Sequence, residues 1–230
     1  MEKNNPNNTV DLENTSACFQ SLEAKDLQII NENKTQLSFF KDETIFKQGA
    51  FATHVLFVNK GLVRIYLQTD TNKQVNIRLA KQGDFLAFSS VFGKNTYLYS
   101  AISLKDSTIC MIDKEALKKL LIKNPEFAMQ INSKNCHNED RYLNIIHNIS
   151  HKQMRGKLAS ALLYLSSNEF KDENVFEHLT RQNIADFASI SVESAVKFIK
   201  EFEKEGLLKL EGKNIQITNI SKLQNIELRG

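Results

Sequence analysis

The chain of 230 residues has no apolar run approaching the ~20 residues that a helix needs to cross a bilayer. Its first residues, Met1-Glu2-Lys3-Asn4-Asn5-Pro6, lack the charged-then-apolar order of a signal peptide. These two absences predict a cytoplasmic chain with no membrane partner. Cysteine is scarce. Cys18, Cys110 and Cys136 are scattered, odd in number and unlike any zinc spacing, which argues against a disulfide framework. An iron–sulfur cluster asks for about four thiolates, and three cannot supply it. Histidine is sparse in the same way: no His-x-His occurs, and residues 37–112 hold only His54. A cupin-like metalloenzyme, which needs closely spaced inward histidines and a carboxylate, therefore lacks its ligands, and we expect no enzyme. Excess positive charge is missing too. The net charge is +3, and residues 151–230 carry 12 Lys+Arg against 11 Asp+Glu. If that half binds nucleic acid, it does so by where its charges sit rather than by their number.

What is present is organised around Leu179–Leu208. Thr180 is placed to cap a short helix that buries Ile184, Ala185, Phe187 and Ala188. Ser191 is placed to cap a second, its hydroxyl satisfying an amide that the first turn leaves unpaired. In that second helix Ala195, Phe198, Ile199 and Phe202 recur at i, i+3, i+4 and i+7, which makes one apolar face. Gly206 supplies the stop. The pattern is a helix-turn-helix. Leu207–Leu210 and Asn214–Thr218, around Glu211-Gly212-Lys213, read as a hairpin wing. Glu193 and Lys197 lie one turn apart, away from the apolar stripe, with Val192 beside them. That is the part of a recognition helix that meets base edges in the major groove.

Upstream, residues 1–16 are rich in Asn and offer little to bury, so a flexible arm is expected. A short helix should follow from Ser21, through Leu22, Leu27, Ile29 and Ile30. Over residues 37–112 the runs Phe39-Phe40, Thr44–Phe46, Val55–Val58, Leu62–Leu67, Val75–Leu79 and Thr108–Ile112 alternate with turns at Gln48-Gly49, Lys60-Gly61 and Gly83-Asp84. That spacing argues for an antiparallel roll or barrel. Asp113 should cap a helix carrying Leu117, Leu120 and Leu121, which ends before Asn124-Pro125. A long helix should then run from Pro125 to about Asn148. Its middle is so polar that Phe127, Ile131, Tyr142, Ile145, Ile146 and Ile149 must find a partner, either a second copy of the helix or the roll itself. Met154, Leu158, Ala161, Leu162 and Leu165 start the C-terminal domain, and Ser166–Glu177 reads as a polar surface loop. The expected division is a sensing roll at 17–123, a dimerisation helix and hinge at 124–150, and a winged helix-turn-helix at 151–230. The fold class is α+β.

These motifs in this order, from Gln48-Gly49 through Asn124-Pro125 to Thr180-Arg181-Gln182 and Ser191-Val192-Glu193-Ser194, resemble the Crp/Fnr family of bacterial transcription regulators over roughly residues 20–220. The resemblance implies a homodimer, double-stranded operator DNA as partner, and contact with RNA polymerase. It further implies phosphate contacts at Thr180, Arg181, Gln182 and Ser194, with Ser191 at the start of the reading helix. Glu193 matches a glutamate able to accept from cytosine N4. Lys197 stands where an arginine often reads guanine, without that residue's planar fork. Val192 replaces a frequent arginine and offers only apolar contact. Ser189 occupies the usual turn glycine.

The family's cyclic-nucleotide pocket is altered. Phe85-Leu86-Ala87-Phe88-Ser89-Ser90 stands where a glycine-rich turn with glutamate is usual, with Phe88 at the glutamate. Tyr99-Ser100 replaces Arg-Ser, so a phosphate loses its bidentate partner. Tyr142 stands at a position that contacts the base. Cyclic AMP is therefore not the expected effector. Phe85, Phe88, Ser89, Tyr97, Tyr99, Ser100 and Tyr142 outline a candidate pocket for something less charged. No cofactor and no metal are expected. A haem- or redox-responsive regulator of the same architecture is the alternative, through Cys136-His137 or His147 and His151. Adjacent helical residues point apart, however, and the His147–His151 pair straddles the hinge.

Overall fold

The computed structural model describes residues 17–71 and 73–230. The arm expected over residues 1–16 lies outside the described residues, as does Asn72. The chain forms two compact units, and the boundary falls inside one long helix. One unit takes in residues up to Leu67 together with Leu79–Glu139, the other Gln68–Arg78 with Asp140–Gly230.

In the first unit, a short 3-10 turn at Ala17–Ser21 leads into α1 (Ala24–Glu32). Eight strands follow among the described residues, with residues 68–78 at the facing ends of β4 and β5 belonging to the second unit: β1 (Lys34–Phe39), β2 (Thr44–Phe46), β3 (His54–Lys60), β4 (Leu62–Asp70), β5 (Lys73–Lys81), β6 (Phe85–Leu86), β7 (Ser100–Ser103) and β8 (Ser107–Asp113). They form two four-stranded sheets in the orders β1-β8-β3-β6 and β2-β7-β4-β5. The pairs β1/β8, β3/β8, β3/β6, β2/β7 and β4/β7 are antiparallel. This is the roll that the alternating short runs called for. The strand at Ser100–Ser103 went unmarked because Ser, Ala, Ile and Ser carry little β signal. It is placed by its neighbours, with Ala101 opposite Ile65.

Asp113 ends β8 and caps α2 (Lys114–Lys123), accepting from the Ala116 amide at 2.9 Å. Asn124 closes that helix, and Pro125, which fixes its own φ and gives up no needed donor, opens α3 (Pro125–His151). The first two turns of α3 are anchored. Phe127 and Ile131 are fully buried in a cluster with Phe19, Leu27, Val55, Phe57, Phe85 and Leu117. Phe19 sits edge-on to Phe57 at 5.0 Å and 5.7 Å from Phe127. Ile131 is thus committed to the chain's own core.

In the second unit, α4 (Met154–Leu165) packs against α6 (Arg181–Ala188), α7 (Val192–Lys204) and a closing helix α8 (Ile220–Arg229). Leu158, Leu162, Ile184, Ile199, Phe202 and Leu223 fill the space between them. β9 (Leu208–Glu211) and β10 (Asn214–Ile217) pair as the wing, with Glu211 opposite Asn214. Two features differ from the sequence reading. The stretch Ser166–Glu177 is not merely a polar loop: it contains a 3-10 turn at Asn168–Phe170 and starts α5 (Val175–His178), and it buries Phe170, Val175 and Phe176. Phe170 meets Tyr164 edge-on at 5.4 Å. The second is α8, whose one fully buried side chain, Leu223, is too little periodicity to announce a helix. Its end reaches α4 so closely that a Cβ on Gly156 would stand 2.7 Å from the Gly230 backbone, which is why a glycine serves at that turn.

Candidate nucleic-acid interface

The site residues of the second unit are held by two caps and a strained turn. Thr180 and Asn183 form a reciprocal capping box: the Asn183 amide donates to Thr180 Oγ1 at 3.1 Å and the Thr180 amide to Asn183 Oδ1 at 3.0 Å. Ser189, in the left-handed region at φ 53°, closes α6, and the Ile190 amide turns back to the Ala185 carbonyl at 3.1 Å. Ser191 then caps α7, accepting from the Ser194 amide at 3.2 Å, and the two serine hydroxyls lie 3.1 Å apart. A tight turn between two capped helices fixes the angle at which α7 leaves the core.

From that frame the exposed face of α7 follows. Ala195, Ile199 and Phe202 are buried while Glu193 and Lys197 are exposed and Val192 is half-exposed. Burying the Ile199 and Phe202 side chains is worth about 1.5–3 kcal/mol each, which holds the opposite face outward. The Glu193 carboxyl is held below its ordinary range by its own backbone amide and by the Ser191 hydroxyl, so it stands ionised as a pure acceptor. Among the described residues no ion pair joins Glu193 to Lys197, and both charges face solvent. At the start of α6, Thr180 and Gln182 are exposed and Arg181 is half-buried, with burial pushing its pKa down. The Gln182 amide donates to Asp186 Oδ1 at 2.8 Å.

Sequence reasoning missed the side chains that hold this frame from outside the motif. Arg155, on α4, forks onto Glu205 at 2.7 and 2.5 Å, approaches Glu201 at 3.6 Å and lies 5.0 Å over the Phe202 ring. It ties the far end of α7 to α4. Arg141, in the part of α3 belonging to this unit, stacks 3.7 Å over Tyr164 and donates to the Ile77 carbonyl at 3.3 Å. Residues 68–78, the tip between β4 and β5, also pack here: Asn76 is fully buried and donates to the Asn183 carbonyl at 2.9 Å. No local pattern marks such partners: Arg141 and Tyr164 lie 23 residues apart in the chain, and the other pairs 46 or more.

The candidate effector residues are mostly on the first unit. The Tyr99 hydroxyl accepts the Ala87 amide at 2.6 Å, at a turn where Ala87 is left-handed (φ 58°). Ser100, almost fully buried, accepts the Gln48 amide at 3.0 Å. Phe46 stacks on Tyr97 at 4.2 Å and lies 5.7 Å from Tyr99. Phe85 is in the aromatic core, 6.0 Å from the Phe88 ring that packs against it, while Ser89 is exposed. Tyr142 belongs to the other unit. Among the described residues no three His, Cys, Asp or Glu side chains are grouped to hold a metal ion, and no helix is long and apolar enough to cross a membrane.

Comparison with known proteins adds to this geometry. Residues 36–124 match the cyclic nucleotide-binding domain, and residues 156–226 match the Crp-like helix-turn-helix domain. The CRP-like cAMP-activated global transcriptional regulator of Mycobacterium tuberculosis is 22% identical over 89% of this chain and 93% of its own. The transcriptional activator protein FnrA of Stutzerimonas stutzeri is 25% identical, covering 77% of this chain and 74% of its own. Among solved structures, FixK2 from Bradyrhizobium japonicum superposes with a TM-score of 0.74 at 18% identity, over 84% of this chain and 97% of that one.

Proposed function

The chain belongs to the Crp/Fnr family of transcription regulators, and from that membership we propose that it binds a two-fold symmetric operator as a homodimer, reading bases through α7 and answering an effector other than cyclic AMP. The observation that carries the DNA-reading part is the exposed pair Glu193 and Lys197 on a helix whose other face is buried. Neither charge is spent on the other. An ionised carboxylate brought toward phosphates is unfavourable unless a base-edge donor meets it, and cytosine N4 is such a donor. Lys197 offers a donor to guanine one turn further along. Thr180, Arg181, Gln182 and Ser194 supply phosphate contacts around the capped helix starts, which suit anions electrostatically.

Second-copy pairing is supported by α3. Met129, Leu143 and Ile146 are 67%, 65% and 60% exposed, and Met129, Cys136 and Leu143 fall at seven-residue spacing. The seam we propose therefore runs through these residues and not through Ile131. An RNA polymerase contact and a cytoplasmic location are proposed from family membership. The effector reading is supported by the Ala87 amide, which a phosphate at that turn would seek and which the Tyr99 hydroxyl already occupies.

Selection over randomised half-sites, with the parent and Glu193→Ala, tests the reading. We expect Glu193→Ala to relax preference at one base pair per half-site by about 1–3 kcal/mol, with non-specific affinity unchanged or higher. An unaltered preferred sequence would remove Glu193, and α7 as oriented here, from base reading.

A further inference from the structure

We propose that Asp186 is a positioning residue of the DNA interface: it holds the Gln182 amide on one carboxylate oxygen while Gln74, on the β4–β5 tip, holds the other. The distances are 2.8 Å from Gln182 Nε2 to Oδ1 and 2.6 Å from Gln74 Nε2 to Oδ2. The inference rests on the phosphate-contact role proposed for Gln182.

Asp186 is only 7% exposed, and among the described residues no cation pairs with it. A buried carboxylate is costly without a counter-charge unless hydrogen bonds satisfy both oxygens, and here two side-chain amides do so. An apolar residue would fill this place in the α6 core at lower cost, so the carboxylate is explained by what it orients. Gln182 itself is exposed. Its amide has two N–H groups, and with one fixed on Asp186 the other is left for an acceptor outside, which on this face is a phosphate oxygen. A long side chain fixed before DNA arrives loses less freedom on binding.

The hold on Asp186 is itself held. Gln74 is half-buried, and two residues along the strand the Asn76 amide reaches the Asn183 carbonyl. The tip thus touches α6 at two points one turn apart, on Asn183 and Asp186. Gln182, four residues before Asp186, shares its carboxylate. Moving the tip removes one of the two hydrogen bonds that fix the carboxylate, and Gln182 with it. DNA affinity is thereby tied to the position of the β4–β5 hairpin.

A double-mutant cycle on the full chain tests this, with binding to a selected operator and to a non-specific duplex measured for the parent, Gln74→Ala, Gln182→Ala and the double variant. We expect each single substitution to weaken both duplexes alike, about 3–10-fold, without altering base preference. The double variant should bind no worse than Gln182→Ala alone, because Gln74 acts only through Gln182. Gln74→Glu should weaken binding further by setting carboxylate against carboxylate. Adding Asp186→Asn should restore it, since the donor and acceptor are then exchanged. Additive losses in the cycle, or parental binding by Gln74→Ala, would overturn the inference and leave the DNA-reading role standing. A parent that binds no duplex would overturn both.

Discussion

Two residues at the helix-turn-helix, Arg181 and Ser189, separate the work of binding from the work of folding. Arg181 is half-buried at the start of α6, and burial already strips part of the water from its guanidinium, which a phosphate contact of the kind proposed for it would compensate. Arg181→Ala should weaken binding to all sequences by a similar factor and reduce the slope of log affinity against log salt by about one, measured by titration at several salt concentrations. Ser189 has no such role. Its φ of 53° puts a Cβ where only glycine is at ease, a strain of about 1 kcal/mol. Ser189→Gly should therefore raise the melting temperature, with a gain of about 0.5–1 kcal/mol in denaturant titration, and leave DNA affinity where it was. Much of this was legible in the chain. Thr180 and Ser191 announce helix starts because caps act within three residues, and the turn at Ser189 is bounded by them. The Arg155–Glu205 fork and the Gln74–Asp186 contact were not legible, because chemistry shared across 50 residues or more leaves no local pattern.

At the scale of elements, α3 shows how an amphipathic pattern can announce a helix and leave open which partner each apolar face takes. The sequence offers two apolar sets on one helix, and only packing assigns them. Phe127 and Ile131 go to the core with Phe19, leaving Met129, Leu143 and Ile146 exposed. A charge at Leu143 therefore strikes the exposed seam without touching that core. Leu143→Asp should shift the chain toward monomer in sedimentation and lower operator affinity by on the order of tenfold or more, because one half-site no longer helps to hold the other. Its melting temperature at low concentration should change little. A parent that sediments as a monomer and binds a single half-site tightly would show that α3 does not pair. The short elements were hardest to read beforehand for a related reason. β6 has two residues and α5 four, too few for a period, and each is fixed by neighbours: β6 by Leu56 and Phe57, and α5 by its packing on β10.

For the whole molecule the question is which ligands the roll excludes, and the strongest constraint comes from groups already in use. A cyclic phosphate needs a cation and free amides at its turn. Here Tyr99 stands where the family resemblance puts an arginine, and its hydroxyl accepts the Ala87 amide. Ser100, the one matching polar residue, is turned to the Gln48 amide. Phe88, at the glutamate position, packs against the aromatic core and can give no acceptor to a ribose. The two replacements, Tyr99 and Phe88, act together, since restoring the acceptor alone leaves the phosphate without its charge partner. Binding to the folded state alone, at 100 times the dissociation constant, would add about 2.7 kcal/mol, and for a chain of this size that is roughly 5–10 °C in melting temperature. We therefore expect millimolar cyclic AMP to shift the melting temperature by less than about 1 °C and to leave operator affinity unchanged. Thermal unfolding with and without the nucleotide, alongside an operator titration at fixed salt, measures both. A reproducible rise of several degrees would mean that Tyr99 yields the Ala87 amide to the ligand, and the roll would then be a nucleotide sensor after all.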